Sequence, residues 1–179
     1  MRNLCAAQVL VVALALGFSL PDIGLPLDGL TATNLRDTFA EIHFGHPHEA
    51  VDLPSPRGTP VRAVVPGTIR RLFPSKPGGN TIYEFDDRAV YCYYYAHLDR
   101  YAEGLREGMS VGQGDVIGFV GSTGDADPRW PHLHFAIFEL GPEKQWWKGQ
   151  ALNPYPVLLA ALKRHTTLNH TTLNNSLNP

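Results

Sequence analysis

Trp130-Pro131-His132-Leu133-His134-Phe135-Ala136-Ile137-Phe138 decides the fold, because two histidines stand two residues apart inside an apolar run. Alternate residues of a strand share a face, so His132 and His134 point one way and Leu133 and Phe135 the other. On a helix the two imidazoles would diverge. Pro131 in front and the apolar and β-branched residues behind favour the strand. Two imidazoles on one face point to metal or acid–base chemistry, although a bare His-x-His pair describes hydrogen-bonded core histidines equally well.

Around that strand, turn signals are dense: Pro54, Pro56-Arg57-Gly58, Pro66-Gly67, Pro77-Gly78-Gly79-Asn80, Gly112-Gln113-Gly114-Asp115 and Gly121-Ser122-Thr123-Gly124. Such spacing leaves room for strands and almost none for long helices. Between the turns lie 59–65, 68–73, 81–85, 89–98 and 116–120, each rich in Val, Ile, Tyr, Phe or Thr. The expected fold is mostly β, an antiparallel sheet domain with few or no long helices.

The 179 residues, 44% hydrophobic and 18% charged, suffice for one domain with a real core. A net charge of −2 without a Lys/Arg run gives no basic surface for nucleic acid, so that partner is not expected. Cys5 and Cys92 define no disulfide framework. Arg2 followed by the apolar stretch Leu4 to Leu20 reads as an export signal peptide or N-terminal anchor over residues 1–20. Residues 21–44 form a Pro/Gly-containing lead-in, 45–162 the main domain, and 163–179, with its Thr-Thr-Leu-Asn repeat, a flexible tail.

Three stretches combine with the histidine pair. In His48-Glu49-Ala50-Val51-Asp52, held between Pro47 and Pro54, an extended backbone puts His48 and Asp52 on one face, and His46 has the same parity. Adding His134 gives two imidazoles and one carboxylate, a set that suits Zn²⁺ with a fourth position left for water. Tyr91 to Leu98 is an alternating aromatic strand, on which His97 shares its face with Tyr91, Tyr93 and Tyr95. Gly118 to Gly124 places two glycine turns around a short strand, without a phosphate-loop ending.

The ordered series His48-x₃-Asp52, Gly58-Thr59-Pro60-Val61-x-Ala63, Pro66-Gly67-Thr68-Ile69, Tyr95-Ala96-His97-Leu98, Gly108 to Gly124 and Pro131-His132-Leu133-His134-Phe135 resembles the LytM/lysostaphin-type zinc metallopeptidase family over roughly residues 44 to 140. The resemblance implies a β domain with an open substrate groove, one Zn²⁺ per domain, and hydrolysis of peptide bonds in peptidoglycan cross-links or stem peptides. It also implies His48, Asp52 and His134 as metal ligands, which selects His48 over His46, and His97 and His132 as catalytic histidines that do not bind the metal. A peptidoglycan substrate and the leader together imply an exported protein of the periplasm or cell envelope. The alternative is a non-catalytic relative regulating another cell-wall hydrolase; such relatives generally lose ligands, and this chain keeps them. It departs from the pattern at Ala50 for Gly, Trp130 for Gly and Ala136 for Glu, and Trp130 is expected to reshape one wall of the groove. Glu49 is turned away from the metal by strand parity, and Trp146-Trp147 is expected either to form a groove lip or to pack beneath the final turn.

Overall fold

The computed structural model describes residues 21–43 and 45–176; the apolar segment 1–20, read above as an export leader, lies outside the described residues. The long strands β5 (Gly67–Ser75), β6 (Gly79–Asp86), β7 (Tyr91–Leu98) and β11 (His132–Leu140) form one antiparallel meander. Its edges are extended by β9 (Ser110–Val111) on β5 and β12 (Gly149–Leu152) on the C-terminal half of β11. The N-terminal half of β11 pairs with β3 (Val51–Pro54), placing His134 opposite Asp52. A second sheet of β4 (Pro60–Arg62), β10 (Val116–Phe119) and β8 (Arg100–Tyr101) covers one flank, and β1 (Ile42–His43) and β2 (His46–Pro47) make a separate ribbon.

On β11, Leu133 and Phe135 are fully buried while His132 and His134 are half-buried, the alternation a strand imposes. Burying a side chain such as Phe135 or Leu133 contributes about 1.5–3 kcal/mol, which fixes the register and with it the face on which the histidines emerge. The lead-in is integral to the domain: Ile23, Leu27, Leu30 and Leu35 join the core. Leu27 bridges to Val61, and the Gly24 N–H donates to the Val64 carbonyl.

Among the described residues the helix α1 (Pro154–Ser176) is longer than the sequence reading expected and runs through residues assigned there to a flexible tail. Asn153 caps it by accepting from the Tyr155 N–H, and Pro154 opens it where a missing N–H costs nothing. Val157, Leu158, Ala161 and Leu162 bury one stripe. Beyond it, the Thr166 and Thr167 hydroxyls donate to the carbonyls four residues back, and Arg164 pairs with Asp22. These local bonds carry the helix past its last apolar anchor.

Candidate metal centre

At one face of the sheet, β3 and β11 converge with the segment before β3. His48 Nε2, Asp52 Oδ1 and His134 Nδ1 form a triangle, with His48 to His134 at 3.0 Å and Asp52 at 3.1 Å from each. His46 lies exposed on β2, outside that triangle. Bonds of 2.0–2.1 Å to a tetrahedral zinc would put ligand atoms about 3.4 Å apart, close to the sides observed. Hydrogen bonding makes the same point chemically. His48 Nδ1 lies 3.1 Å from the Thr38 carbonyl, an acceptor only, so Nδ1 carries the proton and the neutral ring aims a lone pair at Asp52. Two electron-rich atoms facing each other call for a cation between them, and the residues fit Zn²⁺.

Thr38 orders the centre twice over. Besides taking the His48 proton on its carbonyl, its hydroxyl accepts from the Asp52 N–H and donates to the Ala50 carbonyl. No local sequence signal marks this residue, which lies ten positions before His48. Nor is 48–52 one extended strand. Glu49 sits at φ 55°, so the simple parity argument fails there, and its side chain turns out of the metal cleft for that reason.

A cleft of about 340 Å³ surrounds the triangle, lined among others by His43, Tyr94, His97 and His132. His132 Nε2 stands 3.8 Å from Asp52 Oδ1, and the His97 ring packs 4.9 Å from His132 and 5.6 Å from His134. His132 Nδ1 is held at 2.9 Å by the Trp130 carbonyl and His97 Nδ1 at 2.8 Å by the Thr123 carbonyl. Each neutral ring therefore keeps its proton on Nδ1 and leaves Nε2 as a base. Trp130 contributes its carbonyl; its ring is 72% exposed and does not line the cleft, contrary to the expected groove wall.

His97 is placed by a backbone device. Strand parity put it with Tyr91, Tyr93 and Tyr95, but those three are buried in the core, and it is Tyr94 that lines the cleft. The cause is φ 59° at His97, which breaks the alternation at the strand's end. A non-glycine residue in this region costs on the order of 1–3 kcal/mol and persists only where its surroundings hold it. Here the His97 N–H donates to the Gly78 carbonyl. The Thr123 hydroxyl and Asn80 Nδ2 donate to the next carbonyl, that of Leu98. Gly79, at φ 64°, permits the close approach: a Cβ there would lie 2.1 Å from Thr123 Oγ1 and 2.6 Å from the Gly124 nitrogen.

Electrostatics follow from burial and proximity. Burial pushes the Asp52 carboxyl up, but the hydrogen bonds that His134 and His48 donate when their facing nitrogens are protonated outweigh it and hold Asp52 far below the usual carboxylate range. Burial lowers His134. In His48 burial acts the same way, yet the hydrogen bond that Nε2 makes to Asp52 once it is protonated, together with the charge of that carboxylate, prevails and raises it. His97 is brought down to about 4 chiefly by burial, so its ring is neutral at pH 7. His43, passed over in the sequence reading, stacks on His48 with ring centroids 4.1 Å apart, and it places a ring nitrogen within 4.8 Å of ligand atoms of His48 and Asp52. The signal available for it was the crowding of three histidines into residues 43–48.

The antiparallel sheet with its histidine-lined cleft is the catalytic-domain fold of the LytM/lysostaphin-type peptidases. The catalytic domain of lysostaphin from Staphylococcus simulans matches with a TM-score of 0.55 at 34% identity, over 64% of this chain and 81% of that one. Residues 46–154 match Peptidase family M23, and the chain belongs to that family. It is 32% identical over 143 residues to the L-Ala–D-Glu endopeptidase of Bacillus subtilis, covering 75% of this chain and 42% of the relative. It is 34% identical over 143 residues to a DD-carboxypeptidase/endopeptidase of Neisseria meningitidis, covering 76% and 30% respectively. The chain thus spans less than half the length of these two curated relatives.

Proposed function

We propose that the protein is a zinc-dependent endopeptidase that hydrolyses peptide bonds in peptidoglycan cross-links or stem peptides. The observation that carries this reading is the triangle of His48, Asp52 and His134 with two imidazole Nε2 lone pairs, those of His97 and His132, presented to the same cleft. Zn²⁺ held by the triangle would supply a water of lowered pKa and a Lewis acid for the scissile carbonyl. His97 Nε2, neutral at pH 7, accepts a proton from the attacking water. Protonated there, His97 delivers the same proton to the departing amine, while His132, its ring packed 4.9 Å from that of His97, orients the water through Nε2. No step calls on Glu49, whose side chain lies outside the cleft. A regulator without activity would have no need of two base histidines held in one tautomer, and their retention favours the enzyme.

The relatives' names specify bonds between alanine and glutamate residues and, for a glycyl-glycine endopeptidase of Staphylococcus capitis, between glycines. For this chain the class proposed is a cell-wall peptide built of such residues, alanine, glutamate or glycine. That substrate lies outside the cytoplasm, so residues 1–20 are proposed as the leader or anchor for export; a dominant cytoplasmic pool with an intact N-terminus on cell fractionation would contradict this. The deciding experiment incubates purified protein with peptidoglycan sacculi and identifies released muropeptides by mass spectrometry. Peptide-bond cleavage that chelation abolishes and zinc restores is the expected result. Sacculi left intact by zinc-loaded protein would refute the enzyme.

A further inference from the structure

A second cavity opens beside the metal cleft, and the two share Tyr94 as a wall. Its volume is about 380 Å³, within the range of small-ligand sites of roughly 300–1,000 Å³. Aromatic rings run without a break from the metal centre into it. Tyr94 lies edge-on to His134 at 5.9 Å, Tyr83 is 4.7 Å from Tyr94, Trp146 is 4.6 Å from Tyr83, and Trp147 is 5.3 Å from Trp146. The last ring is the odd one. Trp147 is 64% exposed, yet it is braced by Trp146, which packs against both Tyr83 and Phe73. With Trp146 and the exposed edge of Phe73 it forms one apolar patch bordering the cavity, and a patch so placed serves as a contact surface.

We propose that this cavity seats an N-acetylhexosamine ring of the glycan strand, stacked on Trp147, so that the enzyme prefers stem peptide still attached to glycan. The proposal rests on the peptidoglycan reading above. A pyranose offers a flat face of C–H groups that suits the negative face of an indole, while its hydroxyl and acetamido edge stays wet. Glu49 and Lys148, both lining the cavity, supply an acceptor and a donor for that edge. Peptide residues such as alanine and glycine offer an indole little apolar area. An ammonium group of a stem peptide is the other chemistry aromatic rings attract, and two cations oppose it: Lys148 lines the cavity, and the Arg71 guanidinium already lies 5.8 Å from the Trp146 ring. Tyr94, common to both linings, sets the sugar seat next to the metal cleft.

The test uses the full chain and an N-acetylglucosamine tetramer as probe, followed by NMR of the tryptophan indole N–H signals. Saturable shifts of Trp146 and Trp147 are expected, with Trp130 unmoved. In Trp147→Ala the Trp146 response should disappear, and in Trp147→Tyr it should persist in part. In parallel, kcat/KM is measured on cross-linked muropeptides carrying their disaccharides and on the same peptides after enzymatic removal of the sugars. Trp147→Ala should lose roughly fivefold to tenfold more on the first substrate than on the second. Equal losses on both substrates, an unshifted Trp146, or saturation by free diaminopimelate in place of the sugar would overturn the proposal. Should the protein bind the tetramer through Trp147 yet cleave neither substrate, the peptidase reading falls and the sugar site stands.

Discussion

Glu84, on β6, should make the stability of this domain fall as pH rises from about 4.5 to about 7. Its carboxyl is buried, with Oε2 accepting from the Tyr95 hydroxyl and Oε1 left without a partner. Burial lifts it from 4.5 to about 7, against the opposing pull of the Tyr95 hydroxyl and the Val64 and Val65 backbone and with a small push from the charge of Asp86. Below pH 4.5 both folded and unfolded chains carry the proton, and the group's contribution is complete. Between 4.5 and 7 the unfolded chain ionises while the folded one holds its proton, so rising pH favours unfolding; above 7 no further loss accrues. The two values translate into about 3 kcal/mol. His97 works in the opposite sense across much of the same range: lowered to about 4 from 6.5, it contributes stability at neutrality that is lost as pH falls. The two contributions oppose each other in the wild-type curve, so the measurement must be a difference. Urea denaturation of wild type and Glu84→Gln at matched zinc content, from pH 4.5 to 8, should show the wild type losing about 3 kcal/mol relative to the variant. In a thermal scan the same difference amounts to roughly 6–12 °C for a domain of this size. Any fixed offset from the unpaired glutamine amide cancels in this comparison. Curves that stay parallel across the whole range would refute the reasoning.

Replacing His48, Asp52 or His134 by Ala should abolish stoichiometric zinc on elemental analysis, whereas His46→Ala should keep it, because two ligands no longer define a tetrahedral open site. Zinc retained in all three variants would defeat the ligand assignment. His97→Ala and His132→Ala should retain zinc while kcat on muropeptides falls on the order of 10²- to 10⁴-fold, with KM changing less; wild-type turnover in both would leave the proposed proton transfers without support. Gly79→Ala forces a Cβ onto the backbone of Thr123 and Gly124 at φ 64°. It should destabilise by about 1–3 kcal/mol on calorimetry and lower activity by shifting His97, and unchanged stability would count against the clamp.

The His-x-His stretch carried most of what could be read in advance. Its parity put both imidazoles on one face of β11, and the apolar runs between glycine and proline turns marked the other long strands within a few residues. Tyrosine orientation on β7 was illegible because one left-handed residue, His97, inverts the face at the strand's end, and side-chain periodicity carries no trace of such a φ. Thr38 was invisible for another reason: its role exists only once its segment has folded beside His48 and Asp52. The aromatic row from Tyr94 to Trp147 joins β6, β7 and a loop, and cross-strand neighbours of that kind depend on register rather than local composition.

His48 and His134 are 86 residues apart in the chain and meet only through the pairing of β3 with β11. On the ligand assignment proposed above, a nascent chain that has not yet delivered β11 holds no complete set. On the proposed function, a peptide in reach of a half-emerged chain is safe from it. The order of emergence would then act as a timer, with the proposed cutting power arising at the last long strand and not before.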